Sequence, residues 1–204
     1  MPKPKLGIIG SGRLGTAIAR QSSQAGYEVR IANSRGPESL KLMLSVLLPG
    51  VIAATIESVV TESEIIVLAM PLNQYESLNP SLFVDKIVID AMNYWPPTEG
   101  EIAAFMDEDV TSSERIQQYL QGADVIKTLN HVAYNELEEQ RLPAGDPDRR
   151  AMALVGESNR AKMLVAELVA AIGFDPVDLG ELKNGKKFQP DTPLFNARYV
   201  ANDL

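Results

Sequence analysis

Apolar residues in this chain come in short dense runs, separated by stretches with helical spacing. Residues 5–10 (KLGIIG) form a run that ends in glycine, and residues 28–32 (EVRIA) form a second. Between them Leu14, Ala17 and Ile18 recur at intervals of three and four. That spacing predicts a helix, and Gly26 stands where it would stop. A helix over 37–48 is predicted next, with Pro37 suited to its first turn and Pro49-Gly50 to its end, followed by a short strand at 51–54. The β-branched runs at 65–69 (IIVLA) and 86–90 (KIVID) are of the kind buried on both faces of a parallel sheet, and a helix is expected between them.

After a loop over 94–109 rich in Pro, Thr and acids, the alternation resumes. It predicts a helix at 113–120, a sixth strand at 124–129 (DVIKTL), a strand at 151–155, a helix at 159–172 and a short strand at 176–179. Strand and helix alternate throughout. The expected fold class is therefore α/β: a doubly wound, Rossmann-type, mostly parallel sheet with right-handed crossovers. No repeat or linker divides the chain. One domain over 1–204 is expected, with a core over about 1–130 and a small βαβ extension over about 131–204. The tail from Gly180 onward has little periodicity and is expected to wrap over the surface or join a partner subunit.

Composition narrows the function. With 45% hydrophobic and 23% charged residues the chain is an ordinary soluble globular sequence. A net charge of -8 argues against nucleic-acid binding, and it requires any anionic ligand to find local positive charge. The absence of cysteine removes disulfides, thiolate metal sites and thiol nucleophiles together. No apolar run approaches the roughly 20 residues of a membrane span, and the start of the chain reads directly as a strand, so a cytoplasmic protein is expected.

Gly10-Ser11-Gly12-Arg13-Leu14-Gly15 is a G-x-G-x-x-G motif that follows a strand, opens a helix and sits in a βαβ unit, the context in which it marks a dinucleotide site. Gly10 permits a tight turn, Gly12 lets backbone approach a pyrophosphate, and Gly15 lets helix pack close to strand. Arg13 adds a positive charge beside the pyrophosphate. The ribose-reading position lies about 20 residues further on, at Asn33. A carboxylate there would repel a 2′-phosphate. Instead Asn33 is uncharged, Ser34 offers a hydroxyl and Arg35 offers a planar cation, a set suited to the phosphate of NADP(H).

Ligands of open α/β sheets lie at the carboxyl ends of strands. Those ends are Ala69-Met70-Pro71, Ala91-Met92-Asn93 and Leu129-Asn130-His131. Asn93 and Asn130 are candidates to bond the nicotinamide carboxamide or a second ring. His131 is the only histidine and the one candidate catalytic acid, although a structural role is at least as well supported. No metal-ligand cluster or hydrolase triad is present. Hydride transfer between two flat rings needs stacking and exclusion of water more than it needs an acid or base, so the residues lean toward a second redox cofactor as acceptor. The acid runs at 107–109 and 136–139 read as solvated faces.

With these residues placed, the chain resembles the NADPH-dependent reductases of the 5-deazaflavin coenzyme F-420, whose domain type also forms the cytosolic reductase part of some membrane ferric reductases. The likeness runs through GIIGSGRLG, ANSRGPESL, IDAMNYWPP, VIKTLNHV, GFDPVDLG and PLFN. It implies an NADP-binding Rossmann domain with a small carboxyl-terminal extension, a homodimer, and deazaflavin stacked on nicotinamide without an acid–base residue. Carried over, Ser11 and Arg13 lie at the pyrophosphate, Ser34 and Arg35 at the 2′-phosphate, and 129–131 with Leu194-Phe195 near the second ring. Arg149-Arg150 and the lysines of 183–187 are candidates for the polyanionic tail of the coenzyme. FMN or FAD are the alternative acceptors, and the Tyr94-Trp95 pair in the long 94–120 insert could shape a different pocket. The alternative functions are a β-hydroxyacid dehydrogenase or imine reductase acting on a small substrate, and an NADPH-binding regulatory module. The strand and helix units after residue 124 count against the first of these.

Overall fold

The computed structural model describes residues 3–102, 105 and 109–204. The acidic residues Asp107 and Glu108, read above as a solvated run, lie outside these described residues. Eight strands form one sheet in the order β3-β2-β1-β4-β5-β6-β7-β8. They are β1 (Leu6–Ile9), β2 (Val29–Ala32), β3 (Ile52–Ala53), β4 (Ile65–Leu68), β5 (Ile87–Asp90), β6 (Asp124–Lys127), β7 (Ala151–Gly156) and β8 (Asp175–Asp178). The first six are parallel. β7 runs antiparallel to β6, pairing Lys127 with Val155, and β8 is again parallel to β7. The fold is the mostly parallel, Rossmann-type α/β sheet that the alternation predicts.

Strands β1, β4, β5 and β7 are buried along their whole length. Each is therefore continuously apolar or nearly so, as strands covered on both faces must be. One face packs a cluster that includes Ile8, Ile18, Ile31, Val67, Ile89 and Val165. The other packs Val60, Leu68, Phe83, Val88, Val125 and Phe188. Helices α1 (Arg13–Gln24), α2 (Lys41–Leu47), α3 (Ile56–Glu62), α4 (Pro96–Glu99), α5 (Ser112–Tyr119), α6 (Tyr134–Glu139) and α7 (Asn159–Ala171) complete the layers. The chain runs from β1 outward to β3, then returns to the other side of β1 for β4. This reversal opens a crevice at the carboxyl ends of β1 and β4.

Several elements differ from expectation for local reasons. The helix expected at 37–48 begins as a 3-10 turn over Pro37–Leu40 and becomes α-helical only at Lys41. Two 3-10 turns, Leu72–Ser77 and Pro80–Phe83, replace the helix expected between β4 and β5, each entered through proline. β6 ends at Lys127 rather than residue 129 because Leu129 adopts φ of 64°, a left-handed conformation that cannot continue a strand. The tail is also less peripheral than its sequence suggests. Leu182–Phe188 forms a 3-10 segment whose Leu182, Gly185 and Phe188 are buried, and Val200 bridges to Arg150 beyond the end of β7's pairing with β8. Phe188 fills the core, so this stretch closes the sheet's second face.

Candidate functional site

The glycine loop turns out of β1 with a different constraint at each glycine. Gly10 has φ of +118°, and a Cβ there would lie 2.2 Å from the carbonyl oxygen of Ala69 at the end of β4. A Cβ on Gly15 would lie 2.0 Å from the carbonyl oxygen of Gly10, so only glycine lets α1 pack this close to the strand end. Gly12 differs: a Cβ there meets nothing within 4 Å. Its freedom from side chain serves no contact within the protein. Gly12 is the N-cap of α1 and supplies no side-chain cap, and the first turn carries no acid. The helix end therefore presents free N–H groups and its positive pole to an open space, where an anion fits. Leu14 points the other way and packs against the core.

The loop after β2 is tied to this glycine loop by Asn33. Its amide nitrogen donates to the hydroxyls of Ser11 (3.2 Å) and Ser39 (3.0 Å), and its oxygen accepts the backbone N–H of Arg35 (2.9 Å) and the Ser39 hydroxyl. Asn33 was read from sequence as a ribose contact. In the fold its side chain is spent on shaping the loop, an Asx turn that projects Ser34 and Arg35 outward. Both are exposed, and among the described residues no hydrogen bond or ion pair engages the Arg35 guanidinium. Arg13, on the first turn of α1, lies with its guanidinium 5.3 Å from the centre of the Tyr134 ring and donates to its hydroxyl at 3.2 Å. An open glycine cradle, an uncapped helix end and an unengaged cation beside them fit a phosphorylated dinucleotide. The residues that would hold it are Gly10 to Gly15 at the pyrophosphate and Ser34 with Arg35 at the 2′-phosphate.

At the neighbouring strand ends, Ala69 and Met70 are half-buried and Pro71 is exposed, all beside the glycine loop. Ala91 is different, because its side chain lies in the core and only its backbone can face a ligand. Asn93 and Asn130 are brought together: Asn93 Nδ2 donates to the Asn130 carbonyl (2.7 Å), and Asn130 Nδ2 donates to Asn93 Oδ1 (3.0 Å) and to the Phe188 carbonyl (3.0 Å). The pair clamps the ends of β5 and β6. Met92 is buried.

Below this clamp lies a group that the sequence reading missed. Asp90 and Lys127 face each other in register across β5 and β6, are fully buried, and form an ion pair at 3.1 Å. Asp90 also accepts the Ser113 hydroxyl (2.7 Å) and the Met92 N–H (3.0 Å), while Lys127 donates to the Met92 carbonyl. Burial pulls the Lys127 pKa below the ordinary lysine value, and Asp90 offsets part of that. The available signal was a charge at the carboxyl end of each of two strands, Asp90 after IVI and Lys127 after VI.

His131 is buried, against its reading as a candidate acid. Its Nε2 accepts the backbone N–H of Ala153 at 3.1 Å, and its ring leans on Phe188 with centroids 4.8 Å apart. Burial, then the charges of Arg150 and Lys127, push its pKa down to about 3. The imidazole is thus neutral at physiological pH and its Nε2 is occupied as an acceptor. Arg149 and Arg150, expected at an anionic tail, are also interior. Arg149 pairs with Asp175 (3.1 Å), and Arg150 with Glu136 (2.8 Å), Gln140 and the Ala197 carbonyl. Both are committed to holding α6, β8 and the tail together. Lys183 pairs with Glu181. Glu136, read as part of a solvated acid face, is the partially exposed partner of Arg150.

A cavity of about 450 Å³ opens near the asparagine clamp, between Tyr94, Pro96, Phe105 and Val110 to Ser112 on one side and the segment after β8 on the other. Tyr94, Pro96, Phe105 and Pro190 form much of its wall, with Gln189 and Lys186 among its polar residues. Trp95 lies outside it, half-exposed, with its ring 6.3 Å from that of Phe195.

Comparison with known proteins matches residues 5–94 to the family described as NADP oxidoreductase coenzyme F420-dependent. The matched NADP oxidoreductase segment covers β1 to β5 and thus the glycine loop, the Asn33 turn and the first two strand ends of the crevice. Over 190 residues, 91% of its length, the chain is 28% identical to metalloreductase STEAP3 of Rattus norvegicus, and it spans 36% of that protein. The chain therefore spans about a third of the length of the curated relatives it matches. A hypothetical protein of Sinorhizobium meliloti superposes with a TM-score of 0.80 at 29% identity, covering 97% of this chain and 95% of that one. A structure from Arthrobacter sp. FB24 assigned as an F420-dependent NADP-reductase superposes with a TM-score of 0.77 at 24% identity, covering 90% and 87%. No helix among the described residues is long and apolar enough to cross a membrane.

Proposed function

We propose that the chain is an oxidoreductase that moves a hydride between NADP(H) and a deazaflavin (coenzyme F-420) or flavin-type acceptor. The carrying observation is the pairing of the open cradle at Gly12 with the unengaged Arg35, both on the crevice where the strand order reverses. Bound NADPH would supply the hydride. The chain's part is to hold the pyrophosphate on the α1 end, to select the 2′-phosphate through Ser34 and Arg35, and to order the strand ends with the Asn93–Asn130 clamp. The buried, neutral state of His131 favours a ring acceptor over a carbonyl, since ketone reduction needs a proton donor at the reacting atom and a ring acceptor does not. The family match supports the cofactor, and the relation to a metalloreductase accords with a ring that passes electrons onward. A single NADP-binding domain, a homodimer and a cytoplasmic setting are parts of this proposal.

The test is anaerobic NADPH oxidation by the purified protein, with coenzyme F-420, FMN and FAD offered separately and NADH as control donor. Turnover on at least one ring with a strong NADPH preference is expected. Tight NADPH binding with no turnover on any ring would overturn the hydride-transfer reading in favour of a small imine or carbonyl substrate, or of a cofactor-sensing module.

A further inference from the structure

The cavity wall is built from residues next in sequence to the strand-end clamp. Tyr94 follows Asn93 directly, and Gln189 follows Phe188, whose carbonyl Asn130 holds. Gln189 in turn donates to the Ser112 hydroxyl at 3.2 Å, next to the Ser113 that bonds Asp90. Hydrogen bonds and ring packing hold its aromatic wall. The Tyr94 hydroxyl donates to the Gly100 carbonyl (2.8 Å) and accepts the Ile102 N–H (2.6 Å), and its ring packs on Phe105 with centroids 5.2 Å apart. With the hydroxyl occupied, the ring of Tyr94 is what remains to meet a guest. Two prolines add further flat apolar surface. At about 450 Å³ the cavity is near the low end for small-molecule sites, which run from about 300 to 1,000 Å³.

Charge sets a second limit. Among the residues that line the cavity, Lys186 is the cation, and Asp191 stands on the same rim. Arg149 and Arg150 are buried in internal pairs and Lys183 is paired with Glu181 at the surface, while Lys187, exposed next to Lys186, is not among the residues lining the cavity. The chain as a whole carries -8. A long, multiply charged tail would find Lys186 and Lys187 set against Asp191 and the acidic chain around them, too little local positive charge to balance it.

We propose that this cavity is the acceptor's site and that it takes a flat fused ring with a short tail that is neutral or carries a single phosphate, a riboflavin- or FMN-like molecule. This rests on the hydride-transfer reading above and narrows its acceptor. The step balances: two electrons and one proton leave NADPH together as hydride, giving NADP⁺, and form the new bond on the oxidised ring, while water supplies the second proton of the reduced ring.

The experiment titrates riboflavin, FMN and coenzyme F-420 separately into the full chain with NADP⁺ present, following quenching of ring fluorescence. Riboflavin and FMN should bind about tenfold or more tighter than coenzyme F-420. Val110→Trp, which fills the cavity from its rim, should weaken all ring binding by about tenfold or more. Lys186→Gln should weaken FMN about three- to tenfold and leave riboflavin within about twofold. Tighter binding of coenzyme F-420 than of both others would overturn the proposal. So would unchanged ring binding in a Val110→Trp protein that folds and binds NADPH normally, or no binding of any ring. NADPH oxidation is read in parallel: ring binding in the expected pattern without turnover upholds the cavity assignment and removes only the hydride-transfer reading.

Discussion

Lys127→Met tests whether the buried pair beneath the strand ends is a structural support of the site. The substitution keeps the length and apolar character of the stem and removes the ammonium. Asp90 would keep the Ser113 hydroxyl and the Met92 N–H but lose its only described counter-charge in a fully buried position. The Met92 carbonyl would lose a donor at the same time. Breaking one side of a buried ion pair costs about 3–5 kcal/mol. A domain of this size loses roughly 2–4 °C of Tm per kcal/mol, so the melting temperature should fall by about 6–20 °C. The double variant Asp90→Asn with Lys127→Met removes both charges and leaves an amide oxygen for the Met92 N–H. It should recover at least about 1 kcal/mol relative to the single variant, because the stranded charge, rather than the lost attraction, dominates the penalty. Urea unfolding with thermal melts reads both quantities. A loss below about 1 kcal/mol in Lys127→Met would refute the reasoning, as would a double variant less stable than the single one.

Arg35→Ala should weaken NADPH binding by about 1.5–3 kcal/mol, the range for a charge-assisted contact, and leave NADH nearly unchanged; equal losses for both by calorimetry would sink the 2′-phosphate assignment. Gly12→Ala should fold with stability within about 1 kcal/mol of the parent, since its Cβ meets nothing, yet bind NADPH at least about tenfold more weakly. Gly15→Ala should instead destabilise by about 1–3 kcal/mol or more, because its Cβ meets the fixed carbonyl of Gly10, and a protein as stable as the parent would count against this packing. His131, with a folded pKa of about 3 against 6.5 for a free histidine, makes the unfolded chain the better proton acceptor between those values. Stability should therefore fall as pH drops from about 6.5 toward 3, by at most about 1.4 kcal/mol per pH unit from this group. His131→Gln should flatten that slope in acid-unfolding curves and reduce hydride transfer only modestly. A collapse in rate with folding and NADPH affinity intact would restore a catalytic role to this residue.

What the sequence determined by itself is what a few neighbouring residues decide. Dense β-branched runs can only be strands buried on both faces, and the glycines at 10, 12 and 15 dictate a turn, an open approach and a tight helix. The alternation of strand and helix leaves little choice of fold class. The lack of an acid at the ribose-reading position, where Asn33 stands, was equally local, and the likeness to F-420 reductases was legible from the same motifs. The tertiary structure decided the rest, because it depends on which strand ends meet. Asn33 shapes the Arg35 loop only because β2 lies beside β1, which brings Ser11 within reach of its amide. Asp90 and Lys127 are 37 positions apart and become partners through the β5–β6 register. Separation in sequence likewise hid the burial of His131 under the antiparallel β7 and the internal pairing of Arg149 and Arg150, two residues that look like free surface cations in the linear chain. Desolvation made these pairings obligatory: a charge or ring nitrogen carried into the sheet's interior must find a partner there, and only the packed fold determines which one.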